Sequence, residues 1–242
     1  MSFANNRNSS PKTEYFRHIF DCVLDIFFPS ICPGCGKNVS GGQVVCSSCF
    51  ESIPLNKSLF CGKCGARLPE NKKICHLDFP YVLGAATSYK NETARTLVRE
   101  LKFGFIKNAA RPFAELLISY AENLGFADEG WLVVTIPLGK KRLRQRGFNQ
   151  AVVIAEIFAE HFSMAIEKEG FIRHKETDPQ TEMKNFESRV ENAGGCFNVT
   201  APEKFADRNI ILIDDVSTSG ATFFEAASVL KRADAKKIIA LA

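Results

Sequence analysis

Eight of the nine cysteines lie between Cys22 and Cys75, and only Cys196 stands beyond them. Cys32-Pro-Gly-Cys35 and Cys46-Ser-Ser-Cys49 are C-x2-C pairs separated by ten residues, the spacing of two knuckles that close a tetrahedral zinc site of four thiolates. Gly34 and Gly36 suit the tight knuckle turn. Cys61-Gly-Lys-Cys64-Gly then repeats the first knuckle, and Cys75 follows after the same ten-residue gap, so the segment reads as an internal duplication. Three residues after Cys75, where an eighth ligand is expected, stands Asp78, and His76 is Cys75's neighbour. Two readings stay open for this second copy. Zinc accepts oxygen and imidazole, so Cys61, Cys64 and Cys75 can be completed by Asp78 or His76; alternatively the ribbon is held by packing alone. Disulfides fit less well, because paired knuckles in a chain without a secretion signal belong to a reducing compartment. Cys22 and Cys196 read as plain buried thiols.

The rest of the 242 residues must supply an ordinary core, and 45% apolar with 24% charged residues is enough for one domain beside the small module. The 31 basic residues barely exceed the 27 acidic ones, so only local clustering can argue for a polyanionic partner. The apolar stretch Tyr15 to Phe28 is shorter than the roughly 20 residues a bilayer requires and carries Arg17, Asp21 and Asp25. Its helical spacing predicts a short amphipathic helix ending at Pro29, in a chain expected to be cytoplasmic. The expected organisation is a tail and helix at 1–28, a double ribbon at 29–80 and an α/β domain at 81–242.

From Phe79 onward the pattern alternates. Strands are expected at Tyr81 to Tyr89, Trp131 to Ile136, Ile210 to Ile213 and Lys237 to Leu241. Helices are expected at Glu92 to Leu101, Ala109 to Asn123, Asn149 to Phe162 and Thr222 to Ala233. Such alternation implies a mainly parallel sheet covered on both faces, whose ligands sit at the carboxyl ends of the strands.

Asp214 and Asp215 fall at such an end, in the run Ile-Leu-Ile-Asp-Asp-Val-Ser-Thr-Ser-Gly-Ala-Thr. Adjacent carboxylates repel, and a soluble fold has no structural need for them there. The loop that follows places N–H groups and hydroxyls of Thr218, Ser219, Gly220, Ala221 and Thr222 at a helix start, which favours an anion such as phosphate. The aspartates can accept hydrogen bonds from vicinal hydroxyls or help hold magnesium. A phosphate beside a diol describes a ribose 5-phosphate. A second cluster, Gly139 to Gln150, carries five basic residues and no acidic one; a charge run can be only a solvated loop, but its position after the strand Trp131 to Ile136 argues otherwise.

The acid pair with its loop resembles the phosphoribosyl-pyrophosphate signature of type I phosphoribosyltransferases. Arg146-Gly-Phe-Asn-Gln-Ala151 resembles the ComF family of competence proteins. Further ComF landmarks stand in order: the double ribbon, Leu101-Lys102-Phe103 with Gly104, and Arg173, Thr177, Gln180, Arg189, Asn192 and Phe197. The resemblance covers nearly the whole chain. It implies that the turn Pro137 to Lys141, with Lys140, holds pyrophosphate and that a segment bearing Arg144 and Arg146 closes over it. Magnesium is implied as the partner of phosphoribosyl pyrophosphate, and zinc as the structural metal. Single-stranded DNA is an expected partner along the same cations; rings such as Phe103, Phe105 and Phe148 could stack on bases, although with 21 phenylalanines in the chain core packing is the commoner duty for most of them. Other competence proteins are further expected partners.

Three functions follow as expectations: a ComF-like protein handling incoming single-stranded DNA, a transferase acting on an unidentified base or amine, and a sensor of phosphoribosyl pyrophosphate. Purine-salvage transferases carry an acidic residue where this chain has Thr218, and a threonine hydroxyl is no general base at neutral pH.

Overall fold

A computed structural model describes residues 30–39, 43–68, 75–103, 110–126, 130–175 and 195–242. The expected N-terminal helix with Cys22, the stretch Gly104 to Lys107, and Thr177, Gln180, Arg189 and Asn192 lie outside the described residues.

The two ribbon copies are built alike. β1 (Ser30–Ile31) pairs antiparallel with β2 (Asn38–Val39), and after the short helix α1 (Ser47–Glu51), β3 (Leu59–Cys61) pairs antiparallel with β4 (Arg67–Leu68). Their backbone bonds coincide: Cys32 N–H donates to Lys37 and Gly36 N–H to Cys32, as Cys61 N–H donates to Ala66 and Gly65 N–H to Cys61. Gly36 and Gly65 close the two knuckles at φ 71° and 70°, a left-handed conformation that strains any side-chain-bearing residue.

The copies differ in where they attach. β3 continues antiparallel onto β5 (Val82–Gly84), so the second copy forms one edge of the main sheet. From β5 the sheet runs through β11 (Ile238–Leu241), β10 (Ile210–Ile213) and β6 (Leu132–Thr135) to β7 (Ala165–Glu167), with all of these strands parallel. The boundary expected at 80/81 thus falls between strands that hydrogen-bond to each other. The first copy instead packs on a face, where Cys32, Val39, Val45 and Ile53 join the core formed by α2 (Glu92–Phe103), α3 (Ala110–Asn123) and α5 (Gln150–His161). Tyr120 of α3 donates to the Ser58 carbonyl at 2.7 Å and ties the link between the copies to the same layer.

β10 explains why the sheet is parallel and central. All four of its residues are buried, and successive side chains point to opposite faces. Ile211 and Ile213 enter the α2/α3/α5 layer. Ile210 and Leu212 enter a second layer with α6 (Ala221–Arg232), Phe205 and the hairpin β8 (Phe171–Arg173) to β9 (Phe197–Val199). A strand apolar on both sides needs cover on both sides. Register then levels the ends: Ile213 stands beside Thr135 and Leu241, so Ile136, Asp214 and Ala242 leave the sheet on one rim.

The run Gly139 to Gln150 is largely helical. Lys140–Arg146 forms a helix, α4, stopped by Gly147 at φ 75°. Lys, Arg, Leu and Gln are all good helix formers, and only the glycine ends the run. β7, β8 and β9, each three residues, are strands beyond those the pattern predicts.

Candidate functional site

Each ribbon copy gathers four metal-ligating atoms. The thiols of Cys32, Cys35, Cys46 and Cys49 form one group and Cys61, Cys64, Cys75 and His76 the other, with the ligand atoms of each group within 4.8 Å of one another. Cys32 Sγ lies 3.6 Å from Cys46 Sγ, and Cys61 Sγ lies 3.4 Å from His76 Nδ1. These sets fit zinc, which takes four thiolates or three thiolates and an imidazole at tetrahedral corners. Asp78 is not part of the second group; the neighbouring His76 fills that corner.

The knuckles also prepare a thiolate. Burial pushes the Cys32 thiol up, but N–H groups of Cys46, Gly34 and Cys35 outweigh it and bring it down to about 6. Cys61 is brought to about 6 in the same way, with Cys64 N–H the largest opponent of burial. Gly34 is required by proximity, since a Cβ there would lie 2.8 Å from Cys49 Sγ.

The second constellation occupies the carboxyl rim of the sheet. Asp214 N–H donates to Leu241 at 3.1 Å, and the Asp214 carboxylate accepts from Asp215 N–H at 2.8 Å. The Asp214 carboxyl is enclosed although the residue keeps some exposure, and burial followed by the adjacent Asp215 charge raises its pKa to about 7. Ser219 Oγ accepts from Ala221 N–H, and Gly220 at φ 78° caps α6. Thr218 is exposed, Ser219 and Thr222 are half-buried, and Ala221 is buried. Tyr81 supports this loop from below. Its hydroxyl donates to the Gly220 carbonyl at 3.3 Å, and a Cβ on Gly220 would lie 2.6 Å from that oxygen.

Gly220→Ala therefore meets a positive φ and a clash together. The expected loss is about 1–3 kcal/mol of stability, read as a lowered urea midpoint with unchanged slope. A midpoint equal to wild type refutes this account of the loop.

Cations reach the acid pair from three elements. Lys102, in the last turn of α2, places Nζ 3.1 Å from Asp215 Oδ1, and the two side chains are only 24% and 9% exposed. Arg146, at the end of α4, is half-buried; burial lowers its pKa while the nearby Asp215 and Asp214 charges act the other way. Arg173 of β8 stacks over Phe197 at 5.3 Å and its charge favours the ionised form of Asp214. Gln150 is 2% exposed and joins two of these elements, accepting from Arg146 at 3.1 Å and donating to the Leu101 carbonyl at 3.4 Å.

The expected basic group is thereby divided. Arg146 faces the aspartates, whereas Lys140 and Arg144 are exposed on α4. Lys102, Gln150 and Tyr81 belong to the site although the loop motif does not point to them. The Leu-Lys-Phe landmark is the one sequence signal for Lys102.

Asp214 and Asp215 offer magnesium two carboxylates, a number it takes beside substrate phosphates, but the Asp215 carboxylate is already held by an ammonium.

Comparison with known proteins bears on the ribbon and on the chain as a whole. Residues 23–77 match the double zinc ribbon domain family. The DNA utilization protein YhgH of Salmonella typhimurium is 26% identical over 209 residues, 84% of each chain. Competence protein ComFC of Bacillus subtilis is 25% identical over 199 residues, 78% of each chain. Competence protein F of Haemophilus influenzae is 24% identical over 226 residues, 88% of this chain and 95% of that one. Among solved structures, the glutamine phosphoribosylpyrophosphate amidotransferase of B. subtilis, complexed with ADP and GMP, aligns with 56% of this chain and 26% of its own, at 14% identity and a TM-score of 0.38. Two four-atom ligand sets in a duplicated ribbon, joined to a parallel sheet, thus stand in a chain that is similar along most of its length to these competence and DNA utilization proteins.

Proposed function

We propose that the chain works in DNA uptake or utilization as a cytoplasmic protein whose rim site binds a ribose 5-phosphate, phosphoribosyl pyrophosphate foremost, and whose basic helix meets single-stranded DNA. The observation that carries the reading is the Asp214-Asp215 pair on the strand rim, followed within one loop by the left-handed Gly220 and the start of α6. A helix start favours a phosphate through its aligned N–H groups, and two carboxylates beside it suit a diol. The relatives' names, competence protein and DNA utilization protein, support the biological setting. Exposed Lys140 and Arg144 offer phosphate contacts that do not depend on base identity.

The test is calorimetry of zinc-loaded protein with phosphoribosyl pyrophosphate and with a short single-stranded oligonucleotide, each alone and then in competition. Both are expected to bind. Mutual exclusion places them on one surface, and absence of heat with the small ligand overturns the rim-site reading.

A further inference from the structure

Resting on that ribose-phosphate reading, we propose that Lys102 takes the position of a divalent cation at the Asp214-Asp215 pair, so that the site holds its ligand without magnesium. The contact is short and sheltered, 3.1 Å between side chains that are 24% and 9% exposed. An ion pair on an open surface contributes little, but one shielded from water keeps most of its Coulomb energy. Lys102 is also held in place by its backbone. It lies in the last turn of α2, where unpaired carbonyls favour a cation, and the carbonyl of its neighbour Leu101 accepts from buried Gln150, itself bonded to Arg146.

The charge of the rim follows. The ammonium of Lys102 pairs with Asp215, and the charges of both aspartates act on the nearby guanidinium of Arg146. A magnesium ion entering there must displace the ammonium, approach a second cation and give up some of its tightly held water. An ammonium carries three N–H donors, so one on Asp215 leaves capacity for a ligand hydroxyl or phosphate oxygen. Lys102 is thus a positioning residue: its ammonium holds the Asp215 carboxylate in place while the start of α6 receives the phosphate.

The test titrates ribose 5-phosphate into full-length, zinc-loaded protein in magnesium-free buffer, without chelator so that the zinc centres stay filled, and again with millimolar magnesium. Wild type is expected to bind in both, with dissociation constants within about threefold of each other. Lys102→Met, which keeps the stem and removes the charge, is expected to weaken binding about 10–100-fold without magnesium and to regain part of the loss when magnesium is added. Lys102→Arg is expected to restore magnesium-independent binding. Wild type that binds only after magnesium is added overturns the inference with no need of a variant, and so does Lys102→Met that stays folded and binds like wild type. Absence of binding by wild type under either condition overturns the ribose-phosphate reading itself, and the role of Lys102 with it.

Discussion

Cys61→Ser is expected to loosen the central sheet, whereas Cys35→Ser is expected to unfold only the first ribbon copy. Zinc in a small ribbon contributes on the order of 10–16 kcal/mol of folding energy, comparable to the roughly 5–15 kcal/mol that holds a whole domain. What differs is the attachment. Cys61 closes β3 and stands opposite Val82 of β5, which pairs in turn with β11. Losing the second metal therefore frees the edge of the sheet that carries the rim site. The first copy rests on a helical face through Cys32, Val39, Val45 and Ile53. Purified wild type should hold two zinc ions per chain and each variant one. Hydrogen exchange read by mass spectrometry should show lost protection in β5 and β11 for Cys61→Ser, and in residues 30–53 alone for Cys35→Ser. A single zinc in wild type, or identical exchange in the two variants, contradicts this picture.

His76 shows what spacing conveys and what it misses. Counting from the first copy points three residues past Cys75, to Asp78, because a knuckle is a local backbone pattern that repeats with its sequence. The second copy leaves that pattern at once: residues 77–80 are turns and bends leading into β5, so the ligand is the side chain adjacent to Cys75. β10 was legible to the residue because burial on both faces demands an uninterrupted apolar run, which local sequence displays. The three-residue strands β7 to β9 were not, since a period of two cannot be recognised over so few positions. Lys102 lies at the far limit of legibility. A lysine at a helix end is ordinary on its own, and its meaning depends on Asp215, which only the folded chain brings beside it. The basic run is ambiguous in sequence for a related reason. Charge density says nothing of direction, whereas two residues, about half a helical turn, separate half-buried Arg146 near the acid pair from exposed Arg144.

That division makes the two arginines separable by experiment. Arg146→Ala removes a half-buried guanidinium near both aspartates, and a lost charge-assisted contact of about 1.5–3 kcal/mol corresponds to roughly 10–100-fold weaker binding of ribose 5-phosphate. Arg144→Ala removes an exposed charge, so the same ligand should bind within about twofold of wild type. On a single-stranded oligonucleotide the order changes. Each arginine that contacts phosphate releases counterions, so either substitution should flatten the slope of log affinity against log salt by about 0.7. Asp214→Asn combined with Asp215→Asn acts with opposite signs on the two ligands. It should abolish binding of the small one, because amides are poorer acceptors for a diol and leave Lys102 without its partner. It should leave oligonucleotide affinity unchanged or raised, because two negative charges near a polyanion are gone. If the double variant stays folded and loses both ligands, DNA and ribose phosphate share the rim. If Arg144→Ala leaves the salt slope at its wild-type value, α4 is a solvated helix and the DNA path lies elsewhere on the protein.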